Sequence, residues 1–162
     1  MTENKINLGV ARPFGPSIAK VSIPEEIIKK LNNYVDKVIS DTDKSKKLDY
    51  GDQLAGNVKQ EFKLDVDIMK ESGWANFLAN SCGAWLKQTE KKQITKFNII
   101  NSWIVRQFEK DYNPLHVHGG HISGVGYLKV PNDFGEYSQK SKEVNMNGSL
   151  SLVHGSKMFN SP

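Results

Sequence analysis

The chain has 162 residues, of which 38% are hydrophobic and 25% charged, proportions typical of a folded globular protein and not of a disordered one. We therefore predict a single domain, residues 1–162, with a substantial apolar core. The formal net charge is only +4, and the 22 basic residues include two arginines, Arg12 and Arg106. The lysines are mixed with acidic residues, which argues against a nucleic-acid-binding surface. A lone cysteine, Cys82, and the lack of a long apolar run predict a cytoplasmic protein with no membrane partner.

Residues 1–95 are predicted to be the helix-rich part of the domain. Apolar and polar residues alternate over 17–23, which predicts a strand. A helix should follow, because Ser22 and Glu25 have the spacing of a capping box and Pro24 suits a first helical turn. Its apolar residues recur every three or four positions and predict one buried stripe: Ile27, Ile28, Leu31, Tyr34, Val35 and Val38.

The next segments are predicted as a charged loop over 41–50, a strand or hairpin arm over 54–64, and a second helix near 70–92. One side of this second helix is rich in aromatic residues, which we interpret as core and not as a ligand-binding surface. These residues are Trp74, Phe77, Leu78, Ser81 and Trp85.

After residue 95 the composition becomes β-branched and aromatic, which predicts strands over 97–108, 121–130 and 148–155, with a polar loop between the last two. Helices early and strands late are typical of an α+β domain or a helix-buttressed β-sandwich. We count about five strands, whereas a double-sheet jelly roll has about eight. We therefore expect residues 96–162 to be the first strands of an incomplete sheet structure, in a chain truncated at its C-terminus.

Three of the four histidines lie within "HVHGGH", residues 116–121. In an extended segment, side chains two residues apart point to the same face, so His116 and His118 can share one metal ion. Imidazole suits zinc, copper, iron and nickel. Gly119 and Gly120 permit a tight turn and leave room for a ligand. The spacing therefore predicts a metal site at His116 and His118.

The third ligand of this metal site is left open by the sequence. His121 could donate a hydrogen bond to a metal ligand, and His154 could reach the metal from a later strand. Glu109 and Asp111 precede the histidines and could supply a carboxylate. We interpret Arg106 as a structural residue or as one that supports a metal ligand without binding the metal.

The segment "FEKDYNPLHVHGGHISGVGYLKVP", with "RPFGPSIAKVSIP" and "LAGNVKQEF", resembles the iron(II)- and 2-oxoglutarate-dependent oxygenases, specifically a prolyl-hydroxylase-like family of marine bacteria and their phages. The resemblance implies a double-stranded β-helix, or jelly roll, with N-terminal buttressing helices. It implies iron(II) at His116 and His118, and 2-oxoglutarate as co-substrate held in part by Tyr127. His118 departs from the family, which has a carboxylate at this position.

In that family a further metal-binding histidine and the arginine that anchors 2-oxoglutarate come from a C-terminal segment, here expected beyond residue 162. The chain is therefore expected to be an inactive or weakly active fragment of a hydroxylase of unknown substrate. The alternatives are a non-enzymatic, cupin-like metal-binding or interaction module and a cupin-type metalloenzyme. A jelly roll cut short has unpaired strand edges, so we also expect a homo-oligomer.

Overall fold

A computed structural model of the chain describes residues 7–12, 15–136 and 145–154. The strands are β1 (Leu8–Ala11), β2 (Ile18–Val21), β3 (Gln60–Lys63) and β4 (Trp103–Arg106). The helices are α1 (Glu25–Ile39), α2 (Thr42–Leu48), α3 (Val66–Glu71) and α4 (Trp74–Glu90), with a short 3-10 helix at Gly51–Gln53.

The α+β class predicted from the sequence is confirmed by these elements. The strands described form two separate antiparallel pairs, β1 with β2 and β3 with β4, and within the described ranges no barrel closes. None of the helices in this part of the chain combines the length and the apolar character needed to cross a bilayer.

Helix α1 supplies the centre of the core, as its apolar periodicity predicts. Leu31 and Val38 are each only 1% exposed, and Tyr34 and Val35 are buried beside them. The predicted capping box is wrong, because Pro24 occupies the N-cap position and no side chain caps the helix. The Pro24 carbonyl instead accepts the first backbone N–H groups of the helix, so Ser22 lies too far outside the first turn to cap it.

The prediction of a loop over 41–50 is also wrong, because residues 42–48 form α2. The Asp41 carboxylate accepts the backbone N–H groups of Asp43 and Lys44, at 3.1 and 3.0 Å, and so caps the helix. At the other end Leu48 is buried. A polar sequence forms a helix here because a cap starts it and one buried leucine fixes its end in the core.

The second predicted helix forms as two helices, α3 and α4, which are separated at Gly73. This glycine has φ of 84°, a left-handed conformation that other residues adopt only with strain. Trp74 and Phe77 pack against the core, as predicted, and their rings stack with centroids 5.5 Å apart. Trp85 donates its indole N–H to the Ser17 hydroxyl at 3.0 Å and so connects α4 to the segment before β2.

The two strands β3 and β4 pair in a register that separates two faces. Phe62 opposes Ile104, and both side chains contribute to the core. Glu61 and Trp103 belong to the opposite face, since side chains alternate along each strand. The prediction of a long strand over 97–108 is therefore correct only for residues 103–106, because β3 offers a partner over only four positions.

The strands predicted over 121–130 and 148–155 do not form among the described residues, which exclude 155. In the first segment Gly126 packs against the side chains of Ile23 and Trp74, and the Leu128 carbonyl accepts a hydrogen bond from the Asn32 side chain at 3.2 Å. This backbone group is thus satisfied by a helix side chain and not by a neighbouring strand. The same contact packs Leu128 against the core, so the later part of the chain shares the core of the helix-rich part.

Burial and Asp65 raise the pKa of the Tyr34 phenol from 10.0 to about 12, because the hydroxyl donates to the Asp65 carboxylate at 3.1 Å. Between pH 10 and 12 the folded chain should hold this proton more tightly than the unfolded chain. Its contribution to stability should be complete below pH 10 and should be lost as the pH rises through 12. Subtracting the Tyr34→Phe titration at 295 nm from that of the wild type should isolate one tyrosinate midpoint near 12. A difference midpoint near 10 would contradict the contact.

Candidate metal site

The loop after β4 positions the histidine segment. Its turn is held by Asp111, whose Oδ2 accepts the backbone N–H groups of Phe108 at 3.1 Å and Lys59 at 3.3 Å. One residue on, Tyr112 pairs with Asn57 through two backbone hydrogen bonds of 2.9 and 3.3 Å. The start of the histidine segment is therefore fixed against the residues that lead into β3.

The two predicted metal ligands lie together. The Nε2 atoms of His116 and His118 are 3.0 Å apart, and the rings meet edge to face with centroids 4.6 Å apart. The Nδ1 atom of His116 is 2.7 Å from the carbonyl oxygen of Pro114. A carbonyl can only accept, so this nitrogen carries the proton, and the lone pair of a neutral His116 ring is on Nε2, facing His118.

This geometry fits a shared metal ion. Histidine nitrogens bind such metals at about 2.0–2.1 Å, so two ligands at angles between a right angle and the tetrahedral one have nitrogens about 2.9–3.4 Å apart. The observed 3.0 Å, which is also the length of a hydrogen bond between the two ring nitrogens, lies within this range. The Pro114 carbonyl is the kind of hydrogen-bond acceptor that fixes the tautomer of a metal-binding histidine. Both histidines are exposed to solvent, so a metal ion can reach them.

Two aromatic side chains, Trp103 and Tyr50, lie near the histidine pair. The Trp103 ring lies 5.7 Å from the His118 ring, and the Tyr50 ring lies 6.2 Å from the Trp103 ring. Trp103 is fixed by its pairing in β4. Trp103 therefore limits the positions available to His118, and it is a fluorescent side chain next to the candidate metal site.

None of the four candidates for a third ligand joins the pair: the described residues hold no group of three His, Cys, Asp or Glu side chains arranged for a metal. Asp111 is occupied by the two backbone groups of its turn. Glu109 points to solvent beside Lys110, with 3.8 Å between the charged atoms. His154 lies beside Gly15, near the β1–β2 hairpin. His121 is exposed and follows Gly120, whose φ of 92° makes the predicted turn.

The contacts observed around Tyr127 and Arg106 involve residues other than His116 and His118. Tyr127 is 53% exposed and follows Gly126, which packs against Trp74 at the start of α4. No hydrogen bond connects Tyr127 with either histidine in the described ranges. Arg106 donates through Nη1 to the Gln60 side chain directly across the sheet and stacks over the Phe108 ring at 5.2 Å. These contacts agree with the structural interpretation of Arg106.

Support for the chemistry of the site comes from its own residues. No family model, curated protein or solved structure matches this chain. The resemblance to the oxygenases accordingly stays an interpretation of the sequence. The two histidines, their separation and the Pro114 contact carry the functional argument.

One chemically unusual residue was missed from the sequence. Glu61 is only 2% exposed, and its Oε2 has no hydrogen-bond partner. Burial raises the pKa of its carboxyl above 4.5, and the nearby charges of Asp49 and Asp111 raise it further. An acidic residue directly before an apolar one in "QEFKL" was the available signal, but strand alternation assigns it to solvent.

We expect Asp111→Ala to destabilise the protein, because it leaves the N–H groups of Phe108 and Lys59 without their acceptor. The free energy of unfolding should fall by about 1–2 kcal/mol in urea denaturation. Asp111→Asn, which keeps an acceptor oxygen, should recover most of the loss. Glu109→Ala is the control and should change stability by less than about 0.5 kcal/mol. Equal stability of the two alanine variants would show that Asp111 does not brace the turn.

Proposed function

We propose that this protein binds a divalent transition metal through His116 and His118, and that it is an iron(II)- and 2-oxoglutarate-dependent oxygenase of unknown substrate. The observation that carries the proposal is the 3.0 Å separation of the two Nε2 atoms, with His116 held in the metal-binding tautomer by Pro114. The metal is thus inferred from geometry. The choice of iron and 2-oxoglutarate rests on the resemblance of the sequence.

In this proposal each residue has a limited role. His116 and His118 hold the metal at a solvent-accessible edge, and Trp103 restricts the motion of His118. Tyr127 would contribute a hydroxyl to 2-oxoglutarate. Iron(II), when bound, supplies the redox chemistry that couples decarboxylation of 2-oxoglutarate to oxidation of a substrate. The jelly roll implied by the resemblance, and a cytoplasmic location in which Cys82 stays reduced, belong to the same proposal.

Trp103 allows metal binding to be measured directly. In a Trp74→Phe, Trp85→Phe background, paramagnetic Cu²⁺ or Ni²⁺ bound to the pair should quench most of the remaining emission, because the Trp103 and His118 rings are 5.7 Å apart. His118→Ala should raise the Kd by about tenfold or more, which corresponds to about 1.4 kcal/mol. Changing both histidines to alanine should abolish saturable quenching.

His154→Ala is the matched control, since it removes an imidazole that lies beside Gly15 and not in the pair. It should leave the quenching curve unchanged. Quenching that survives in the double variant would disprove the site. Succinate formation from 2-oxoglutarate with iron(II) and ascorbate then tests the reaction class. Metal binding through the pair without succinate would favour the cupin-like binding module over the oxygenase.

We also propose that the protein associates with copies of itself. Among the described residues β4 pairs only with β3, which leaves its other edge available to a strand. Apolar side chains at alternate positions are exposed in the segments that follow: Leu115 is 65%, Val117 75%, Leu150 53% and Leu152 65% exposed. Such surfaces in a small domain favour association.

Sedimentation velocity tests this proposal at micromolar concentration. The wild type should sediment as a dimer or larger species, and Leu150→Lys with Leu152→Lys should shift it towards the monomer, because buried lysines oppose an apolar contact. Lys129→Glu is a control for a charge change elsewhere on the surface. A wild-type protein that stays monomeric would contradict self-association.

A further inference from the structure

The Glu61 side chain is buried, and one of its carboxylate oxygens, Oε2, has no hydrogen-bond partner. It belongs to the face of β3 opposite the core-facing Phe62, where alternation predicts exposure to solvent. The segment around the 3-10 helix covers it: the Tyr50 N–H donates to the Glu61 carbonyl at 2.9 Å, and Asp49 pairs with Phe62. The covering segment removes Oε2 from water without giving it a hydrogen-bond donor.

The Asp49 carboxylate borders the same space as Glu61 Oε2. A methyl group placed on Gly51 would lie 3.4 Å from Asp49 Oδ1 and 3.7 Å from Glu61 Oε2, so both oxygens border one point. The Gly51 N–H donates to Asp49 Oδ1 at 3.0 Å and fixes that oxygen. Because residue 51 is glycine, no side chain fills this point. Asp49 and Glu61 also line a cavity of about 190 Å³ that opens to solvent.

Within the described ranges no basic side chain forms an ion pair with Asp49 or Glu61. The ion pairs found there are Arg12–Glu90, Lys30–Glu26 and Lys110–Glu109. Lys46 and Lys59 line the cavity, but neither forms an ion pair with Asp49 or Glu61. A buried carboxylate without a partner is costly, and Asp111 adds a further negative charge nearby.

We propose that Glu61 Oε2 and Asp49 Oδ1 bind a divalent cation that prefers oxygen ligands, Mg²⁺ or Ca²⁺, which completes its coordination with water. Such ions are commonly bound through one or two carboxylates while they keep several waters. The cation supplies the positive charge that Glu61 lacks, and the cavity provides access. This site has oxygen donors, so its metal preference differs from that of the nitrogen donors His116 and His118.

Terbium luminescence provides the test, since Tb³⁺ occupies oxygen-donor sites and is sensitised by nearby aromatic rings. Tyr50 follows Asp49 and donates its backbone N–H to the Glu61 carbonyl, and the Trp103 ring is 6.2 Å from the Tyr50 ring. Excitation of these residues should give Tb³⁺ emission that millimolar Ca²⁺ or Mg²⁺ displaces. Glu61→Gln and Asp49→Asn should each lose most of the emission. Glu109→Gln, at an exposed carboxylate, should keep it.

Thermal unfolding gives a second readout in the unlabelled protein. At about 100 times its Kd, Ca²⁺ or Mg²⁺ should raise the wild-type Tm by about 5 °C or more, and should leave the Glu61→Gln Tm unchanged. Because Asp49 is exposed, Asp49→Asn tests the site even if Glu61→Gln folds poorly. The double variant His116→Ala, His118→Ala should keep both responses, which separates this site from the histidine pair.

Two results would overturn the cation site. One is a wild-type protein whose Tm does not respond to either ion and which gives no sensitised Tb³⁺ emission. In that case a proton neutralises Glu61, and Glu61→Gln should be as stable as the wild type in chelator. The other is Tb³⁺ emission that persists in both Glu61→Gln and Asp49→Asn, since the ion would then be bound elsewhere.

Discussion

The four-residue pairing of β3 with β4 is the contact on which both candidate sites depend. It directs Phe62 and Ile104 into the core against α1, and it places Glu61 and Trp103 together on the opposite face. A shift of one residue would exchange the two faces, burying the charged side chain in the core and moving Trp103 away from His118. The apolar burial of Phe62 therefore fixes the register, and the register fixes the functional surface.

Much of the helical part could be predicted, because its signal is local. The apolar period of α1 and the aromatic side of α4 each specify a buried face without reference to any other segment. Helix α2 could not be predicted in this way, since its sequence is polar and its stability depends on the Asp41 cap and on the burial of Leu48. The strands predicted over 121–130 and 148–155 failed for the converse reason. Their composition suits strands, but a strand also needs a partner, which composition does not specify.

In the candidate sites, too, some features follow from the local sequence and others depend on tertiary contacts. The shared face of His116 and His118 follows from their spacing, but the Pro114 contact and the neighbouring Trp103 depend on how the loop is anchored. Glu61 looked like the solvent-facing member of an alternating strand. It is buried because residues 49–53, in part assigned to a charged loop, fold over it. The alternation of residues along a strand does not indicate that another segment of the chain will bury one of its charged side chains.

Trp103 links the two sets of candidate ligands, since its ring is near both Tyr50, which follows Asp49, and His118. A cation between Asp49 and Glu61 would hold the covering segment down and so restrain Tyr50. Through Trp103 this restraint would narrow the positions open to His118 and lower the ordering cost of metal binding there. Any such coupling is reciprocal, so a metal on the histidine pair would strengthen cation binding by the same factor. The two candidate sites differ in ligand chemistry, but the β3–β4 pair supplies a residue in or beside each of them, Glu61 in one and Trp103 beside the other.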